Sequence, residues 1–306
     1  MDVINIIFQN SSLIFVVLVL GALAGLVSER AGVVNIGIEG MMTIGALAFA
    51  LFGKNVGSQW GNWSQIIALL VAGLAGMTIA SFHAFASVTL KADQIISGVA
   101  INILAAAIAI FVVQLPGNNG LISLSNIYTL PKVCSGKFFN LYLFLTIVIL
   151  IGMAVVLKHT KWGLRHIATG ENPNAVDAAG ISVIKRRYVA VLLSGFLAGL
   201  AGGVFPMYAS ETFRGIVNGN GFIALAILIF GQWRVPLITI GAALFAIVET
   251  TGAWITFLPH ISGWVANNAD LWNILPFVTS LLVLIFTSKW SKTPKALGIP
   301  FNKSKR

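Results

Sequence analysis

Nine carboxylates and four histidines are the residues of this 306-residue chain that could carry protons or hold a metal ion, and their spacing argues against either use. His83, His159, His166 and His260 are scattered with no H-x-x-x-H pair, and no two acids form a close dyad. Cys134 stands alone, which excludes an internal disulfide or a cysteine-based metal cluster. The G-x-x-x-x-G-K-[ST] loop, whose backbone amides would cradle a nucleotide's phosphates, is absent. What remains is a small set of polar groups inside apolar sequence. Asn35 and Glu39 sit in AGVVNIGIEG, Asn102 in the apolar run 95–113, and Glu249 in the run 235–257. Polar groups at membrane depth mark solute or ion pathways, so these four are read as pathway residues. The competing readings are that Asn102 bonds a neighbouring helix and that the glycines of 32–40 and of GIVNGNGF (215–222) serve close helix packing.

The elements that must position them are membrane helices. Hydrophobic residues make up 58% of the chain and charged residues 9%, against about 25% charged in soluble domains. A water-soluble enzyme, a secreted disulfide scaffold and a disordered regulator are excluded. Long continuous apolar runs also exclude a β-barrel of roughly 10-residue alternating strands. Apolar runs fall at 13–27, 32–52, 65–90, 95–113, 141–157, 188–208, 215–232, 235–257 and 272–288, giving an all-α polytopic fold of about nine spans, eight to ten.

The net charge of +10 comes from Lys and Arg concentrated at 158–187 and 289–306. Basic residues favour the cytoplasmic side, which puts both segments inside and the N-terminus outside. Fifteen Lys and Arg then lie inside and four outside. This placement accounts for the charge without nucleic acid. Trp60, Trp63, Trp264 and Trp272 flank spans on the outer side, as interfacial anchors do. MDVINIIFQN lacks the basic start of a removable signal peptide. A single transmembrane domain is expected over 1–290, and KTPKALGIPFNKSKR, within a basic cytoplasmic tail at 291–306, reads as disordered near anionic lipid.

The cytoplasmic insert at 158–187 contains TGENPNAVDAAGI, which reads as a capped helix of about two turns. Asn172 can cap it, Pro173 suits its first position and Gly180 its left-handed stop. Such a short helix needs something to pack on.

Four ordered blocks carry a family resemblance: SERAGVVNIGIEGMM (28–42), KADQIISGVAINILA (91–105), GENPNAVDAAGI (170–181) with SGFLAGLAGG (194–203), and GFIALAILIFGQWRVP (221–236). The chain resembles ABC-importer permeases of the branched-chain amino acid, ribose and nucleoside superfamily, closest to the nucleoside or simple-sugar branch. The resemblance implies a non-enzymatic permease subunit in the cell membrane, with a fold similar to the cobalamin-importer class. It further implies a second homologous permease, a cytoplasmic ABC ATPase that holds the ATP and Mg, and an extracellular substrate-binding lipoprotein. This chain itself would bind no cofactor. A coupling helix would fall on Glu171, Asn172, Pro173, Asp177, Ala178, Ala179 and Gly180. Asn102 and Glu249 would then be the contacts for a sugar hydroxyl. The alternative is an ion-coupled secondary transporter of a small polar solute, for which an intramembrane Glu249 is the best argument.

Overall fold

The computed structural model describes residues 3–130, 132–134, 136–255, 263, 268, 272, 274–287 and 292–303. His260 and Trp264 lie outside them. The described residues are predominantly helical: α1 (Val3–Glu29), α2 (Ile38–Phe52), α3 (Ser58–Trp60), α4 (Gln65–Ala84), α5 (Gln94–Gln114), α6 (Leu141–His159), α7 (Lys161–Glu171), α8 (Pro173–Ala178), α9 (Val183–Tyr208), α10 (Asn220–Phe230), α11 (Val235–Trp254) and α12 (Leu275–Thr287). Among the described residues, six helical stretches are long and apolar enough to cross a bilayer: Asn10–Glu29, Asn62–Thr89, Gln94–Gln114, Leu141–His159, Val183–Tyr208 and Val235–Trp254. The other three apolar runs also fall on helices: α2 and α10, which are shorter, and α12, of which residues 275–287 are described. The first two lose their entry turns to the Gly/Asn stretches at 31–37 and 214–219, where the backbone is irregular.

Burial sorts the helices. The apolar window of α1 is 94% buried and that of α5 only 22%, so α1 is the central post while α5 shows a wide apolar face to its surroundings. The post packs mainly on α9, α10 and α11, and α2, α4 and α9 touch one another backbone to backbone. A Cβ added at Gly45 or Gly76 would overlap Gly199 of α9, and one at Gly202 would overlap Met42 of α2. Without a hydrophobic driving force between helices in lipid, such small-residue contact is what holds them together.

The connections segregate to two ends. One end carries Lys54 bonded to Gly117 and Asn118, the antiparallel pair β1 (Ile122–Ser123) with β4 (Thr212–Phe213), and the hairpin β2 (Lys132–Cys134) with β3 (Gly136–Asn140). Trp60 and Trp63 stand exposed there. The opposite end gathers Arg30, Lys91, α7, α8, Arg234 and residues 292–303. Arg30 donates to Trp233 O at 2.7 Å, His166 Nε2 bonds Val27 O at 2.8 Å, and Lys91 Nζ reaches Asn302 Oδ1 at 3.2 Å.

The carboxy-terminal segment departs from expectation. Residues 292–303 form an ordered strap folded onto the insert. Ala296 is buried and its N–H donates to Gly170 O at 2.8 Å, Gly298 N donates to Gly32 O at 3.3 Å, and Arg187 Nη1 donates to Ile299 O at 2.8 Å. Basic composition suggested a solvated tail; long-range backbone hydrogen bonds decide otherwise.

Candidate functional site

The irregular stretch before α2 is held by side chains from three other helices. Gln94 of α5 accepts from Val34 N at 2.7 Å, His83 of α4 bonds Val34 O at 3.0 Å, and Asn35 Nδ2 donates to Ser194 Oγ of α9 at 2.9 Å. Asn102 spans the break, with Oδ1 accepting from Gly40 N at 2.8 Å and Nδ2 donating to Ile36 O at 3.0 Å. Backbone freed from a helix at membrane depth must find such partners, and here it does. Glu39 joins this break to the one before α10: its two carboxylate oxygens accept from Gly219 N at 2.7 Å and Gly221 N at 2.6 Å. A carboxylate at the positive end of a helix is favourable on both hydrogen-bond and dipole grounds. Gly219 needs its glycine, with φ +80°, and a Cβ at Gly221 would press on Glu39.

Asn35, Glu39 and Asn102 therefore meet around the start of α2, bonded to protein. Glu249 stands apart. It lines a cavity of about 370 Å³ with Tyr208, Asn218, Asn220 and Phe277, formed where α9, α10, α11 and α12 converge. A neighbouring chamber of about 560 Å³ shares Phe205, Tyr208, Asn218 and Ala253, adds Glu211 and Trp254, and extends past Leu130 toward the end carrying the hairpins. Ser210, Glu211 and Asn218, all at its wall, have φ of 56°, 60° and 55°. Left-handed backbone at non-glycine residues concentrates at binding sites. The sequence reading found Glu249 but not Tyr208, Glu211, Asn218 or Asn220. The signal available was the Gly/Asn break itself, NGNG at 218–221.

In the insert, α7 was not foreseen, although Thr160 Oγ1 caps it by accepting from Gly163 N at 3.0 Å and Gly163, His166, Thr169 and Gly170 form one buried face. The short helix α8 is built as its residues suggest. Asn172 Oδ1 accepts from Ala175 N at 3.1 Å, Pro173 opens it, and Gly180 at φ +76° closes it while Ile181 N donates to Val176 O and Gly180 N to Asp177 O. Val176 faces inward and Ala178, Ala179 and Gly180 are exposed. Glu171 lies 4.0 Å from Arg30.

Residues 7–284 match the family described as the permease component of the branched-chain amino acid transport system. The chain belongs to this permease family. It is 36% identical to the guanosine ABC transporter permease protein NupQ of Bacillus subtilis and 33% identical to the nucleoside ABC transporter permease protein NupC of Lactococcus lactis, in each case over all of both chains. It is also 35% identical to a putative glucose ABC transporter permease protein, TsgC13 of Haloferax volcanii, over 76% of this chain and 72% of that one. Family and apolar helices together make the protein a multi-pass permease subunit of the plasma membrane.

Proposed function

We propose that this permease is the membrane subunit of an ATP-driven importer of nucleosides, with the Glu249 cavity on its pathway. The observation that carries the reading is full-length identity of 33 to 36% to permeases named for guanosine and nucleosides, against partial coverage for the one named for glucose. The cavity suits such a solute. Glu249 and the Asn218 and Asn220 amides can meet ribose hydroxyls, and Phe205, Tyr208 and Phe277 offer walls to a base.

Nine spans, with the N-terminus outside and the insert and strap in the cytoplasm, agree with the two-ended distribution of the loops. On this reading the exposed face of α8, with Glu171, Asn172, Pro173 and Asp177 framing Ala178, Ala179 and Gly180, docks a separate ABC ATPase that binds ATP and Mg. A second permease completes the pathway and an external lipoprotein delivers substrate. Lactococcus lactis has two nucleoside permeases, NupC and NupB, 33% and 23% identical to this chain, which supports pairing of two different permeases. Asn35, Glu39 and Asn102 serve the pathway as its frame and Glu249 as a contact. Purification through a tag on this chain should bring down an ATPase, and the reconstituted complex should accumulate labelled guanosine with ATP. Accumulation without any ATPase would favour ion coupling, and no accumulation of any nucleoside would overturn the assignment.

A further inference from the structure

The inner cavity holds two acceptor atoms with nothing to accept. Asn220 Oδ1 and Glu249 Oε2 are both buried and without a hydrogen-bond partner among the described residues, and both residues line the same chamber of about 370 Å³. They come from different helices, the first residue of α10 and the fourth turn of α11. Buried polar atoms are almost always paired, and leaving an acceptor unpaired costs stability. The fold gains nothing from either orphan by itself.

Asn220 cannot easily turn aside. Asn220 is 1% exposed, and its Nδ2 donates to Val217 O at 2.9 Å, which commits the amide and fixes where Oδ1 points. The backbone on both sides of it is clamped, because Glu39 accepts from Gly219 N and Gly221 N. The same clamp fills the anion position that the N-terminus of α10 would otherwise offer. Among the described residues, no Lys or Arg lines either chamber. The place therefore asks for donors and has no counter-charge for a phosphate.

We infer that Asn220 and Glu249 form an acceptor pair that selects uncharged ligands presenting two neighbouring hydrogen-bond donors, and that phosphorylated ligands are rejected at the same point. The inference rests on the nucleoside reading above and narrows it. Two parts of a nucleoside supply such donors: the ribose 2′,3′ hydroxyls, and the N1–H with the exocyclic amino group of guanine. A site built to hydrogen-bond a group discriminates strongly against the analogue lacking it, because the site's own polar atoms are then left unpaired.

The test measures ATP-driven uptake of guanosine, 2′,3′-dideoxyguanosine, inosine and guanosine 5′-monophosphate by the reconstituted complex, in the native protein, Asn220→Ala and Glu249→Gln. The external binding protein acts alike on all three proteins, so each analogue's rate relative to guanosine is compared between them and its contribution cancels. Either variant should reduce the native protein's discrimination against one donor-deficient analogue by at least about 10-fold. Collapse for dideoxyguanosine assigns the pair to ribose, and collapse for inosine assigns it to the base. Equal losses for every solute, leaving all ratios unchanged, would reduce the pair to a structural role and overturn the inference, as would efficient uptake of the monophosphate. If a variant fails to assemble, the native permease in detergent provides a second readout. Guanosine should raise its melting temperature more than the deficient analogue does, and equal shifts from dideoxyguanosine, inosine and guanosine would overturn the proposal. A native complex that accumulates none of the four would instead remove the nucleoside reading, and the inference with it.

Discussion

Replacing Gly32 by alanine should release the carboxy-terminal strap from the insert. Gly32 has φ +87°, where an L-residue costs about 1–2 kcal/mol. The new Cβ would lie 2.8 Å from Arg187 Nη2 and 3.0 Å from Ala296 O, pressing on both, and would reach ordinary contact with Gly170 Cα at 3.4 Å. Overpacking a filled site adds about 1–3 kcal/mol. Gly180 is the internal control: its φ is +76°, yet a Cβ there would meet nothing within 4 Å. Gly180→Ala thus carries the backbone cost alone, and the excess in Gly32→Ala corresponds to roughly 5- to 150-fold in a local opening equilibrium. The assay is tryptic cleavage after Lys295, which is exposed but flanked by buried Pro294 and Ala296, followed by mass spectrometry on detergent-solubilised protein. Cleavage of a transiently opened segment tracks its opening equilibrium when reclosing is fast. Gly32→Ala should be cut at this site at least about 10-fold faster than the native chain, and Gly180→Ala within a few-fold of it. Equal rates in the two variants, or no acceleration in Gly32→Ala, would refute the claim that this corner holds the strap.

Three further outcomes are expected. Gly199→Ala, whose Cβ would overlap the Ala72 carbonyl, should lower the melting temperature and the amount of folded protein, whereas Gly152→Ala, with open space around it, should be neutral or gain up to about 1 kcal/mol; equal behaviour would discredit the backbone-contact account. His166 stacks on Trp162 and bonds Val27 O, and burial, with Arg186 and Arg30 nearby, pushes its pKa down from 6.5 to about 4. The folded value lies below the unfolded one, so its contribution is complete above about pH 6.5 and is lost as pH falls toward 4, at about 1.4 kcal/mol per pH unit. His166→Gln should flatten the melting-temperature profile over that window, and an unchanged profile would contradict the assignment. Ala178→Trp and Ala179→Trp should reduce ATPase co-purification and uptake by at least about 10-fold while the permease stays folded, since both alanines are exposed and an indole there would hold off a partner docked on that face; full binding and transport in both would make α8 a mere connector.

What could be read from the sequence is what local rules determine. The apolar runs became helices, and Asn172, Pro173 and Gly180 did as their types suggest because caps and left-handed stops depend on neighbours three or four residues away. Asp93 likewise caps α5 by accepting from Ile95 N and Ile96 N. The role of Glu39 was not legible. Its partners, Gly219 and Gly221, lie some 180 residues further along the chain, and nothing in IEG distinguishes a clamp from a pathway wall. The cavity was illegible for the same reason: Tyr208, Asn218 and Asn220 sit at helix ends that only packing brings to Glu249. The strap was misread because composition reports solvation tendency, while Pro294 and Ala296 are buried against elements fixed elsewhere.

The contacts that escaped the sequence also form one continuous line through the molecule. The strap and α7 meet Gly32 and Arg30 through the Ala296 to Gly170 and Gly298 to Gly32 hydrogen bonds and the Arg30 and Glu171 pair. From there the break at 31–37 leads into α2, Glu39 grips the amides on either side of Asn220, and Asn220 faces the cavity with Glu249. Most of these links end on backbone, and a displacement of backbone cannot be absorbed by a rotamer change as a displaced apolar side chain can. Close-packed interiors pass strain on and do not dissipate it. On the coupling role proposed above, a push on α8 would pass through α7 along this line to the first turn of α10, where Asn220 sits; substrate sites of transporters lie at such broken helices. The glycines at 32, 219 and 221 let backbone come close enough for each grip, which is why the two Gly/Asn stretches interrupt helices that apolar sequence would otherwise continue.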